Sequence, residues 1–338
     1  MRAVTIRRPG ELEIIEVERK EIETKTQVKV KIKSVGICGS DIGIYKGTNP
    51  MVEYPRIIGH EMAGEVIEIG EDVNEINIGD YVVIDPVIPC GHCKNCERNR
   101  SNVCENLQVM GVHIDGGFQD EIVVDKKNVY KVNKSMPWDM SVLIEPMAVG
   151  FQANSRARIT SDDTVFVMGA GSVGQTVARV ASFLGAKVFS SDVDSRKLSR
   201  AEKYGSIPIN VNTNDANEFI TNHNDGKLAD VVVDAICTPK SFEEAVKSVK
   251  IGGRVVSLGF SEEASKIQSV DITSKELDIL GSRLNNNKFP DVIKAYSTGR
   301  LKFDDLISHR MKFENIQEAF DLILDPSVYT EKIILYVD

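Results

Sequence analysis

Cys90, Cys93 and Cys96 stand at two successive CxxC spacings, and Cys104 follows eight residues later, so four thiols fall in one short stretch. A tetrahedral dication needs four donors at about 2.3 Å from one centre, and a CxxC turn aims two sulfurs at a common point. The spacing therefore predicts a structural zinc site. Two disulfides are the rival arrangement. Against them, Met1 to Gly10 carry charge and lack the apolar core of a signal peptide, which points to a reducing cytoplasm. A site closed by four cysteines has no open coordination position, so it holds a loop and performs no chemistry.

A second donor set lies apart from it. Cys38, His60 and Glu61 offer the sulfur, nitrogen and oxygen donors that an open catalytic zinc site uses, and Glu145, just before Pro146, is a fourth candidate. An exchangeable position would let zinc lower the pKa of a bound alcohol so that its alkoxide can release hydride. Each residue also has an ordinary reading: a buried thiol, a core histidine, a surface acid, a carboxylate at a helix start.

Gly169, Gly171 and Gly174 form GxGxxG directly after the strand-like run Thr164 to Met168, and open a stretch whose apolar face includes Val177, Val180, Ala181 and Leu184. Such glycines allow a tight turn and let backbone N–H groups approach a pyrophosphate at a helix N-terminus. Asp192 ends the next strand, where a carboxylate accepts both adenosine ribose hydroxyls and repels a 2′-phosphate. NAD is thus preferred over NADP, with Arg196 and Lys197 nearby as the opposing feature. A tight structural turn followed by a solvated aspartate is the alternative.

The elements that must position these groups fall into two textures. Up to about residue 135, short strands alternate with Gly, Asp and Asn turns, as in Val28, Val30 and Ile32 among lysines and in the run through Val66, Ile67 and Ile69. After Trp138, strands alternate with helical stretches, which predicts a parallel sheet covered by helices, an α/β fold. Six strands are expected there: Thr164 to Met168, Lys187 to Ser191, Ile207 to Asn210, Asp230 to Asp234, Arg254 to Leu258 and Leu277 to Gly281. The tail carries helical candidates at Asp291 to Ser297 and Ile316 to Leu324, then an apolar strand Lys332 to Val337 that can return to the first domain. At 338 residues the chain can bury two cores. A net charge of -9 leaves no basic footprint for nucleic acid, and no apolar run is long enough to cross a membrane.

Cys38-Gly39-Ser40-Asp41, the segment Tyr54 to Glu61, the four-cysteine loop, Glu145-Pro146 and GxGxxG occur in the order found in zinc-dependent medium-chain alcohol dehydrogenases, which the chain resembles over essentially its whole length. It resembles in particular the sorbitol and threonine dehydrogenase branch. GVHIDGGF at Gly111 to Phe118 and SRLNNNKFP at Ser282 to Pro290 are similar to the starvation-sensing RspB proteins and the hexonate 5-dehydrogenases acting on L-gulonate, L-idonate or L-galactonate.

The resemblance implies a GroES-like β-barrel catalytic domain over 1–150 and a six-stranded doubly wound Rossmann domain over 151–284, with the active site between them. It further implies a segment 285–338 returning to the catalytic domain, and a homodimer or homotetramer. Cys38, His60 and Glu61 would hold catalytic zinc, with Glu145 as a direct, water-mediated or exchanging ligand. Asp41 would fix the His60 tautomer and Ser40 would accept the alcohol proton. The turn Gly169, Gly171, Ser172, Val173 and Gly174, with Asp192 and Lys197, would bind the adenosine half of NAD. Leu258, Gly259, Ser282 and Arg283 would lie near its nicotinamide end. One departure stands out: many relatives carry histidine where this chain has Gly43, so water or Tyr45 would take its place, and the expected relay runs through Ser40 and the coenzyme ribose to water.

Tyr45, His113 and Arg283 fall in segments that the resemblance places near the substrate, and Arg283 or Arg56 could pair with a carboxylate. The expected reaction is oxidation of a secondary alcohol of a sugar acid, at C5 of a hexonate, to the keto acid. A neutral polyol or L-threonine are the alternatives among enzymes, and an NAD(H)-binding regulatory protein is the alternative outside them. Cys237, His223 and His309 receive no role.

Overall fold

Valine and isoleucine alternating with lysine along Gln27–Gly36 dictate a strand with one face turned inward, and Val28, Val30 and Ile32 on that face are fully buried. In the computed structural model, which describes residues 1–338, this strand is the spine of a seven-stranded sheet. Glu61–Ile69 runs antiparallel along one edge of it. On its other edge, Glu121–Asp125 pairs with Gln27 to Lys31, and Lys332–Tyr336 pairs with Ser34 to Gly36. The sheet extends through Tyr81–Ile84 to Val129–Lys131 on one side and to Ile307–Lys312 on the other. A three-stranded sheet of Glu11–Glu16, Arg2–Arg8 and Arg56–Ile57 and the pair Val87–Ile88 with Gln108–Val109 complete the β structure of this unit. The unit comprises Met1–Glu145 together with Phe303–Asp338.

The second unit is Pro146–Lys302. Its six strands are all parallel, in the order Ser206–Asn210, Lys187–Asp192, Thr164–Met168, Ala229–Asp234, Val249–Ser257, Asp278–Gly281. Each central strand is apolar on both faces because both faces are covered. Val165 and Val167 pack on one side with Val177, Ala178 and Ala181 of the helix Ser172–Phe183. Phe166 and Met168 pack on the other with Ala245 and Val246 of the helix Pro239–Ser248. Residues 285–302, read from the sequence as part of the returning segment, lie in this second unit with the helix Phe289–Ser297. No helix is long and apolar enough to cross a membrane.

Candidate active site

The four thiols of the short loop meet. Their sulfurs all lie within 4.8 Å of one another, with Cys93 Sγ 3.5 Å from Cys96 Sγ and 3.9 Å from Cys104 Sγ. A tetrahedron with Zn–S bonds of about 2.3 Å has edges of about 3.8 Å, whereas a disulfide requires about 2.05 Å. None of the cysteines is in a disulfide. Backbone N–H groups point at the sulfurs: Cys104 Sγ accepts from Cys90 at 3.2 Å and from Asn106 at 3.3 Å. Hydrogen bonds from Glu105 and Cys96 backbone pull the Cys93 thiol down to about 6, while burial pushes Cys96 up to about 12.

The second donor set also converges. Cys38, His60 and Glu61 each place one ligand atom within 4.8 Å of the others'. Cys38 precedes the helix Gly39–Tyr45 and Glu61 opens the strand Glu61–Ile69, so two element ends fix the donors. Asp41 ties them together. One oxygen of its fully buried carboxylate accepts from the Cys38 backbone N–H at 2.9 Å, and the other faces His60 Nδ1 at 3.6 Å. With Nδ1 turned to a carboxylate, Nε2 is the nitrogen left for a metal. Ser40 Oγ lies 3.4 Å from that nitrogen.

The electrostatics ask for a cation. Burial opposes the charged imidazole, yet Asp41 and Cys38 outweigh it and lift His60 well above its ordinary value. Burial pushes Asp41 up, and it carries Glu145 up to about 8, with Glu61 adding to both shifts. Glu61 Oε2 is buried without a hydrogen-bond partner. The donor types, the unpartnered carboxylate oxygen and the excess of acids fit zinc. Glu145 lies outside the three-donor group and acts on it through charge.

Two features of this site escaped the sequence reading. Lys332, on the strand Lys332–Tyr336, is buried, and its ammonium donates to Glu61 Oε1 at 2.5 Å and to the Ile37 carbonyl at 3.2 Å. It engages one oxygen of Glu61 and leaves the other without a hydrogen-bond partner. The only signal in the sequence is a lysine heading an otherwise apolar strand. Gly36 is the second: a Cβ there would stand 2.3 Å from Glu61 Oε2, so any larger residue would evict the carboxylate.

GVHIDGGF has a structural role at the same place. Gly116 donates to the Ile57 carbonyl, Gly117 to that of Gly59 and Phe118 to that of Ile58, at 2.7 to 3.0 Å. A Cβ on Gly116 would lie 2.1 Å from the Gly59 oxygen. The motif is thus the backbone cradle of the turn that presents His60. His113 Nδ1 accepts from the Val109 N–H at 3.1 Å, a bond within this cradle. Arg56 pairs with Asp115 at 3.2 Å. Tyr45 meets Phe320 edge to face at 5.4 Å.

In the second unit, the expected coenzyme residues collect at the C-terminal ends of the parallel strands, where open α/β sheets bind ligands. Gly169 has φ +92°, and its N–H donates to the Ser191 carbonyl at 2.9 Å. A Cβ on Gly174 would lie 1.8 Å from the Gly169 oxygen, while one on Gly171 would meet nothing within 4 Å. The turn is therefore closed on its inner side and open on its outer side, where Ser172 and Val173 begin a helix with no side-chain cap on its N–H groups. Asp192 accepts from Ala170 at 2.9 Å and has Lys197 Nζ at 3.8 Å. Leu258 follows the strand Val249–Ser257, and a Cβ on Gly259 would touch Cys237 Cβ at 3.0 Å. Ser282 donates its N–H to the Ser257 carbonyl at 3.0 Å, and Arg283 covers the Phe260 ring at 5.6 Å. The arrangement fits a dinucleotide.

Comparison with known proteins agrees with both units. The model of the alcohol dehydrogenase GroES-like domain matches residues 24–134, and that of the zinc-binding dehydrogenases matches 172–298. Starvation-sensing protein RspB of Escherichia coli K12 is 38% identical over 340 residues, covering 99% of each chain. L-galactonate-5-dehydrogenase of the same organism is 31% identical, covering 86% of each. The crystal structure of RspB from E. coli CFT073, complexed with the cofactor NADH, superposes with a TM-score of 0.94 at 37% identity, covering 100% of this chain and 99% of that one. Family models matched over both units, together with 38% identity to a relative across 99% of the chain, make the chain a member of the zinc-type, NAD-dependent medium-chain alcohol dehydrogenase family.

Proposed function

We propose that the protein oxidises a secondary alcohol of a sugar acid, at C5 of a hexonate, to the corresponding keto acid. The observation that carries this reading is the similarity to L-galactonate-5-dehydrogenase across 86% of both chains. When bound, zinc supplies the Lewis acidity that makes an alcohol easier to ionise, and NAD supplies the hydride acceptor. The chain's own residues orient the donors and handle the proton. Asp41 holds His60 by Nδ1, Lys332 holds Glu61 by Oε1, and Ser40 Oγ, 3.4 Å from His60 Nε2, takes the proton released by the substrate. Gly43 provides no titratable group, so the proton passes from Ser40 to water.

Turnover of a panel of hexonates, pentonates, neutral polyols and L-threonine, followed as NADH, tests the substrate class. The expected result is selective oxidation of one hexonate; activity on uncharged polyols alone would overturn it. A neutral polyol is the second reading, because Arg56, one of the two cations expected to meet a carboxylate, is already paired with Asp115. Ser40→Ala is expected to lower kcat about 10²-fold and to alter its pH profile, the usual scale for losing a positioned proton acceptor. An unchanged rate and profile would remove Ser40 from the proton path.

A further inference from the structure

Asp192 is the acid that reads the adenosine ribose in the coenzyme assignment above, and the structure shows what surrounds it. Both its oxygens are held by the chain: Oδ2 accepts from Ala170 at 2.9 Å and Oδ1 from Asp194 at 3.0 Å. Two cations follow, at the start of the nine-residue helix Ser195–Lys203. Lys197 sits 3.8 Å from Asp192 itself. Arg196 turns back onto Asp194 in a two-pronged pair, with Nε 3.0 Å from Oδ1 and a terminal nitrogen 2.7 Å from Oδ2. Asp194 also caps the helix, accepting from the Arg196 backbone N–H at 2.9 Å.

A helix N-terminus carrying an arginine and a lysine would by itself attract a phosphate. Here a carboxylate of the chain already occupies that end and holds the guanidinium. We infer that Asp194 is a specificity-determining residue: by binding Arg196 and the helix N-terminus it withholds them from a 2′-phosphate on the coenzyme, and so acts with Asp192 to exclude NADP. The inference rests on the reading of Gly169 to Asp192 as the adenosine site. Arg196, which from the sequence alone weakens the NAD preference, is then neutralised by the acid two residues before it.

Calorimetric titration of the full chain with NAD and NADP, for the wild type and for Asp194→Asn, decides it. Asparagine keeps a capping oxygen but cannot hold the guanidinium by charge. The ratio of the NADP Kd to the NAD Kd is expected to fall about tenfold, the scale of one charge-assisted contact regained, and Arg196→Ala added to Asp194→Asn is expected to restore the wild-type ratio. Asp194→Ser, which also caps, is expected to repeat the fall. A ratio unchanged in Asp194→Asn, or a fall that survives removal of Arg196, would overturn the inference. Wild-type protein that binds neither coenzyme would overturn the adenosine-site reading itself, a separate result.

Discussion

Replacing Lys332 by methionine is expected to cost the zinc-free protein about 3–5 kcal/mol, the penalty for breaking a buried ion pair by removing one partner. The lysine is 4% exposed, and its ammonium donates to Glu61 at 2.5 Å and to the Ile37 carbonyl at 3.2 Å. Without it, Glu61 keeps its burial beside Asp41 and Glu145 and loses the one lysine that offsets them. The measurement is the urea midpoint of the full chain, with the slope unchanged. Glu61→Gln combined with Lys332→Met is expected to recover much of the loss, because both charges then leave together; additive losses would show that the pair is not coupled. Burial alone would lower the lysine's pKa, but Glu61, Cys38 and Glu145 raise it above 10.5 on balance. The lysine's charge therefore contributes fully at neutral pH and up to about pH 10.5, the unfolded value, and this contribution fades as pH rises through the higher folded value. The midpoint gap between wild type and Lys332→Met should be flat through neutral pH and close only in strong alkali.

Cys104→Ser is expected to reduce the zinc content from two ions per chain to one and to expose the loop from Cys90 to Cys104 to proteases, with the substrate KM unchanged. Cys104 Sγ gathers two backbone N–H groups and stands 3.9 Å from Cys93 Sγ. A hydroxyl does not replace it, since serine is not ionised at neutral pH. Structural zinc contributes folding free energy of about 10–16 kcal/mol in small peptides, and even a fraction of that decides whether so short a loop is ordered. Metal analysis together with limited proteolysis checks the result. Retention of two tightly held ions in Cys104→Ser would show that the four thiols do not form one closed site.

The four-cysteine loop and the glycine turn were legible because their residues lie at short, fixed spacings, whereas Cys38 stands 22 residues before His60 and that donor set was read through the resemblance to zinc-dependent dehydrogenases. The parallel strands were legible from their Val and Ile runs, with one instructive exception. The strand read as Arg254 to Leu258 begins at Val249, because Gly252 and Gly253 interrupt the apolar pattern that marks its first half. GVHIDGGF was legible as a motif, but its purpose was not. Its glycines serve the backbone around Gly59, and that close approach leaves no trace in residue type. Arg56 and His113 show the complementary failure. Their side-chain chemistry was plain, but Asp115 and the Val109 N–H, which engage them, become neighbours only in the fold. Lys332 was the hardest to see, since 271 residues separate it from Glu61.

That separation bears on the order in which the molecule can be assembled during translation. The second unit is one continuous stretch, Pro146–Lys302, whereas the first is finished only by Phe303–Asp338. A nascent chain emerging residue by residue can therefore close the parallel sheet while the strand Gln27–Gly36 still lacks its neighbour Lys332–Tyr336 and the acids around His60 still lack their lysine. The unit with the parallel sheet is available first; the unit that carries Cys38, His60 and Glu61 stays unfinished until the ribosome has delivered the strand bearing Lys332.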